Sequence, residues 1–215
     1  MPVAVKICGL TDAKAIITAV DAGANYLGFN FFRRSPRFLS IETAAELISG
    51  LPRRVTPVGL WVDPTDSQIE KTLKVMRLGM LQLHGKETPA RVAAIRKKFN
   101  LPVMKVIGVA SRADVMAASE YQGVADWFLF DAKPIPTASR PGGNAIAFDW
   151  PLMKAFNSAL PWMLAGGLTA KNVGAAIKES GAMVVDVSSG VETRPSVKSP
   201  AKIRAFMKAV RAISG

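Results

Sequence analysis

One cysteine and one histidine in 215 residues rule out several kinds of chemistry. A lone thiol cannot close an internal disulfide, which fits a reducing compartment, and it cannot build a cysteine-rich metal site. A lone imidazole, His84, excludes a histidine-pair metal site. No uninterrupted apolar run approaches the roughly 18 residues of a membrane span, and the start Met1-Pro2-Val3-Ala4-Val5-Lys6 lacks the basic-then-apolar pattern of a signal peptide. The expectation is a soluble, cytoplasmic protein with no membrane partner. Acidic residues are also scarce: 16 Asp plus Glu face 28 Lys plus Arg, a formal charge of +12. Such a balance attracts polyanions, anionic surfaces or phosphorylated small molecules. The cations are scattered, however, as in Arg96-Lys97-Lys98, Lys171, Lys178, Lys198, Lys202, Arg204, Lys208 and Arg211, with no interleaved aromatic and basic stripe of the nucleic-acid-binding kind. They read as solvated outer helix faces that aid solubility and capture of an anionic substrate.

What the chain has in quantity is alternation. With 49% apolar residues and no linker-like segment, it is expected to fold as one domain. The run Val3 to Ile7 stops at Cys8-Gly9. A helix follows, capped by Thr11 or Asp12 and ended by Gly23. Further strands are expected at Tyr26 to Phe32, Val55 to Val62, Leu81 to His84, Val103 to Val109, Trp127 to Asp131, Trp162 to Ala165 and Val184 to Val187. Helices are expected after them, including one from Asp149 to Phe156, one capped by Thr169 and a last one from Pro200 to Ile213. Eight such units in 215 residues average about 27 residues each, at the compact end for a single (β/α)8 TIM barrel. An open doubly wound sheet shares the alternation, but its phosphate-binding glycines normally follow the first strand. Here the glycine-rich turns Gly166-Gly167 and Ser188-Ser189-Gly190 follow strands seven and eight, as barrel phosphate sites commonly do.

In a barrel all strand carboxyl ends share one mouth, so Cys8 and Asp131 meet there although they are distant in sequence. An acid and a base at one mouth suggest proton transfer. The apolar stretch Trp127 to Phe130 before Asp131 favours its protonated form. Each residue has a plainer reading: Cys8 as a small buried hydrophobe, Asp131 as a turn cap, the glycine turns as helix caps. Arg37, beyond strand two, suits a carboxylate gripped by two parallel hydrogen bonds, or is a solvated loop charge. His84 ends strand four and either touches substrate or makes a structural hydrogen bond, and Asp186 on strand eight orients neighbouring loops.

The blocks Lys6-Ile7-Cys8-Gly9-Leu10-Thr11, Gly28-Phe29-Asn30-Phe31, Ser35-Pro36-Arg37, Gln82-Leu83-His84-Gly85, Phe148-Asp149-Trp150, Leu164-Ala165-Gly166-Gly167-Leu168 and Val185 to Glu192 together resemble the phosphoribosylanthranilate isomerases of tryptophan biosynthesis. Seven blocks in order across the chain are far more specific than any one. The resemblance implies an Amadori rearrangement of N-(5-phosphoribosyl)anthranilate without metal or organic cofactor, by a monomer or homodimer. It implies Asp131 as general acid, Cys8 as general base with a moderately lowered pKa, Arg37 on the anthranilate carboxylate and the two glycine turns on the phosphate. Many relatives carry a Gly-x-Gly-Lys-like stretch before Phe-Asp-Trp, where this chain reads Gly142-Gly143-Asn144-Ala145-Ile146-Ala147. The two glycines are expected as lid or phosphate contacts. The alternatives are a phosphosugar isomerase of the histidine-pathway barrel type, which would use paired aspartates, and a non-catalytic basic barrel that binds nucleic acid.

Overall fold

A computed structural model describes residues 2–133 and 147–214; Gly142 and Gly143 lie outside them. Eight parallel strands close into a barrel in chain order: β1 (Ala4–Cys8), β2 (Tyr26–Asn30), β3 (Thr56–Trp61), β4 (Met80–Leu83), β5 (Val103–Val109), β6 (Trp127–Ala132), β7 (Trp162–Leu164) and β8 (Val184–Val187). Closure comes from β1 pairing with β8, Lys6 opposite Asp186. Side chains alternate across each strand. One set, Val58, Met80, Met104, Val106, Leu129, Met163, Ala165 and Val184, fills the barrel with Ala4, Tyr26 and Trp127. The other set, including Ile7, Leu27, Phe29, Leu81, Phe128 and Val185, belongs to the larger core shared with the helices.

The helices begin where short polar side chains satisfy free backbone amides. Asp12 accepts from the Ala15 amide to start α1 (Ala13–Asp21), and Ser40 accepts from the Thr43 amide to start α2 (Ile41–Ser49). Thr65 and Gln68 form a capping box for α3 (Asp66–Val75), and Thr88 caps α4 (Pro89–Phe99). Ser111 and Asp114 do the same for α5 (Arg112–Met116), which tightens into a 3-10 turn over Ala117–Tyr121. The helix expected from Asp149 to Phe156 is a 3-10 turn over Trp150–Ala155, with Pro151 in its first turn.

Thr169 is not a helix cap. Its amide instead donates to Asn172 Oδ1, Asn172 Nδ2 donates to the Gly167 carbonyl, and α6 (Val173–Ser180) starts only after this turn. Beyond β8 the chain makes an unexpected hairpin, β9 (Glu192–Arg194) with β10 (Val197–Lys198), before α7 (Pro200–Ser214). The hairpin sits over the loop after β1, where Thr11 Oγ1 donates to the Ser196 carbonyl. No helix among the described residues is long and apolar enough to cross a membrane.

Candidate active site

Parallel closure puts the carboxyl ends of all eight strands at one mouth. Cys8 stands there at the end of β1, 6% exposed, and Asp131 on β6, 8% exposed. Asp131 shares a cavity wall with Gly166, Gly167, Asp186, Ser188 and Ser189, so one recess joins the carboxyl group to both glycine turns. The two turns also touch each other. A Cβ on Gly190 would fall on the Leu168 carbonyl oxygen, so only glycine permits the approach. Gly166 and Gly167 both take positive φ, 87° and 60°.

Buried ion pairs tie the remaining residues to this recess. Lys6, fully buried on the same face of β1 as Cys8, donates to Asp186 Oδ1 at 3.0 Å. Arg37, after β2, donates through Nε and Nη2 to the two carboxylate oxygens of Glu192 at 2.7 and 2.8 Å. Its side chain runs past Gly9, where any Cβ would collide with the Arg37 Cδ. Lys198 bonds Glu192 Oε1 at 2.8 Å and the Ser188 carbonyl at 3.0 Å. Read from the sequence as a surface cation, Lys198 is in fact 4% exposed. Through Glu192, the hairpin links Arg37 to the turn after β8. Glu192 is held below the ordinary carboxylate value, Arg37 and Lys198 outweighing its burial.

Burial dominates the electrostatics of the two candidate proton-transfer groups. It pushes Asp131 up to about 7; the Asp186 charge adds to the rise, against the Ala132 amide and Lys6. Burial likewise raises the Cys8 thiol, more than Lys6 and Lys198 lower it. The expected moderately lowered thiol pKa is thus reversed, because the strand end is drier than a chain terminus in solvent. His84 Nε2 lies 3.6 Å from Asp131 Oδ2. Burial, Lys6 and Lys105 bring the ring down to about 3, so it is neutral near pH 7 and the contact is not an ion pair.

Sequence reasoning missed two features. Gln82 on β4 is 1% exposed, and its Oε1 has no hydrogen-bond partner among the described residues. Gly28 makes room for the thiol: a Cβ there would lie 2.8 Å from Cys8 Sγ and 3.1 Å from Cys8 Cα. Gly28→Ala is therefore expected to displace the sulfur and lower kcat by roughly tenfold to a hundredfold with the fold retained. Steady-state kinetics beside circular dichroism checks this, and an unchanged kcat would mean the thiol position does not matter.

Comparison with known proteins bears on this geometry. Residues 5–209 match the family model described as N-(5'phosphoribosyl)anthranilate (PRA) isomerase. The N-(5'-phosphoribosyl)anthranilate isomerase of Paramagnetospirillum magneticum is 54% identical over 98% of this chain and 98% of its own. That of Paracoccus denitrificans is 52% identical over 96% of each. Among solved structures, the phosphoribosyl anthranilate isomerase of Thermotoga maritima superposes with a TM-score of 0.88 at 33% identity, over 98% of this chain and 99% of that one. A further solved phosphoribosyl anthranilate isomerase, in complex with reduced 1-(o-carboxyphenylamino)-1-deoxyribulose 5-phosphate, gives 0.83 at 31% identity, over 98% and 99%. With a family model matched from the first strand into the last helix, on a closed eight-stranded barrel, this chain belongs to the N-(5'-phosphoribosyl)anthranilate isomerase family.

Proposed function

We propose that the chain converts N-(5-phosphoribosyl)anthranilate to 1-(2-carboxyphenylamino)-1-deoxyribulose 5-phosphate in the cytoplasm, with Asp131 as general acid and Cys8 as general base. The observation that carries the assignment is the pair itself: a carboxyl group raised to about 7 and a thiol, at one mouth beside two glycine turns. Asp131 gives its proton to the furanose ring oxygen. The bond from that oxygen to C1 breaks, and the nitrogen lone pair forms the C1 iminium. The Cys8 thiolate then takes the C2 proton, and the released electron pair makes the C1–C2 double bond of an enolamine while the iminium π electrons return to nitrogen. Tautomerisation moves the enol proton to C1 and leaves the ketone at C2.

A carboxyl group with a pKa near the working pH suits the first step. The iminium cation both acidifies C2 and favours the thiolate next to it, which offsets the thiol's burial.

Both ends of the substrate are anionic. Arg37 uses two of its five N–H donors on Glu192 and offers the others to the anthranilate carboxylate. Backbone amides of the turns at Gly166-Gly167 and Ser188 to Gly190 take the phosphate, and Gln82 Oε1 accepts from a ribose hydroxyl. Fixing both ends leaves C1, C2 and the ring oxygen between base and acid.

The test is loss of phosphoribosylanthranilate fluorescence with purified protein, followed for the wild type and for Arg37→Ala. The wild type is expected to turn over, and Arg37→Ala to raise KM by roughly tenfold to a hundredfold, the value of a charge-assisted hydrogen-bond pair. A wild-type KM in the variant would remove the carboxylate assignment.

A further inference from the structure

Lys6 and Asp186 take no part in the steps above, yet they occupy the centre of the barrel beneath both reactive groups. They face each other in register across β1 and β8, with Nζ 3.0 Å from Oδ1 and Lys6 fully buried. A buried ion pair is a poor source of stability, because desolvating two charges costs about what their attraction returns. Apolar side chains fill the layer below them, where Ala4 and Val184 point inward. The two charges are also placed unequally. Lys6 is two residues before Cys8 on one face of β1, so its charge acts on the thiol as well as on Asp186. Asp186 lines the recess that holds Asp131.

We infer that Lys6 and Asp186 are positioning residues for the reaction, a fixed charge pair whose cation favours the ionised form of Cys8 and whose anion favours the protonated form of Asp131. One pair thereby biases base and acid in the opposite directions the reaction needs. Other charges face the same groups without this division: Lys198 and Arg37 also act on Cys8, and neutral His84 faces Asp131. Each member of the pair also opposes its partner, as the smaller of the two effects: Asp186 opposes Lys6 at the thiol, and Lys6 opposes Asp186 at Asp131.

The inference rests on Cys8 and Asp131 as base and acid, and its test reads the thiol directly. Cys8 is the only cysteine, so the rate of alkylation by neutral iodoacetamide at fixed pH reports one thiolate. Lys6→Met is expected to slow alkylation about tenfold, the effect of one pKa unit, and Asp186→Asn to accelerate it. Loosening of the mouth would instead expose the thiol and accelerate both. Acceleration in both variants, or an unchanged rate in both, overturns the inference. Should Lys6→Met leave Asp186 unpaired and fail to fold, the double variant Lys6→Met/Asp186→Asn, which leaves no uncompensated charge, decides. It is expected to react more slowly than the wild type, and an equal or faster rate overturns the inference. An active Cys8→Ala enzyme would remove the base assignment while leaving these rates standing, whereas unchanged rates would remove the inference and leave the base assignment standing.

Discussion

Replacing Cys8 by alanine is expected to lower kcat by about a thousandfold or more, within the range contributed by a positioned general base. The rest of the molecule changes little. Removing one buried sulfur costs on the order of 1 kcal/mol, and the walls around it stay put because Lys6 remains paired with Asp186 and Gly28 remains opposite. Arg37 and the glycine turns are untouched, so KM is expected within a few-fold of wild type. Ring opening by Asp131 continues in the variant, so its defect belongs to removal of the C2 proton. The measurement is steady-state turnover by substrate fluorescence, with circular dichroism to confirm the fold. A kcat near the wild-type value would return Cys8 to the role of a small buried hydrophobe.

Asp131→Asn combines a loss and a gain. Turnover is expected to fall by about a thousandfold or more, since an amide cannot donate the proton that opens the sugar. Stability is expected to rise at alkaline pH, and the sign follows from the folded pKa of about 7. An aspartate raised in the folded state stabilises the fold below its unfolded pKa, near 4. That contribution is lost as pH rises through about 7, where the buried carboxyl must ionise. Asparagine escapes the loss and keeps the acceptor for the Ala132 amide, now 2.9 Å from Asp131 Oδ1. At pH ~8 the gain is roughly 2–4 kcal/mol, from a rise of about three units, and it vanishes by pH ~4. Thermal melts of both proteins across that range read it directly. Equal melting curves at pH ~8 would mean that the wild-type carboxylate is well solvated and not an acid poised for proton donation.

The barrel was legible because each strand is an apolar run stopped by a polar residue or glycine, and each principal helix opens on a residue that can cap it, although at α6 the side chain of Asn172 is spent on the preceding turn. Cys8, Asp131 and the glycine turns were legible for the same reason, since a strand end is a place that periodicity marks. What periodicity does not mark is a partner. Lys6 and Asp186 are 180 residues apart, and Arg37 and Glu192 are 155 apart. Only closure of the barrel between β1 and β8, and the fold of the hairpin after it, brings these charges together. Lys198 shows the consequence: in the sequence its charge reads as a surface cation, and its burial depends on Glu192, which the hairpin presents to it. The thiol pKa failed similarly. The dryness of the strand end, which outweighs the cations Lys6 and Lys198 beside the thiol, is a property of the assembled mouth.

The most direct test of the acid and base assignment is a crystal structure of this chain with the reduced product analogue bound. Cys8 Sγ is expected within about 3.5 Å of C2 and an Asp131 carboxyl oxygen within hydrogen-bond reach of the oxygen that closes the furanose. The carboxylate should lie on Arg37 and the phosphate on the turns after β7 and β8. An analogue bound with its anthranilate over those turns, and with C2 beyond reach of the sulfur, would contradict that assignment.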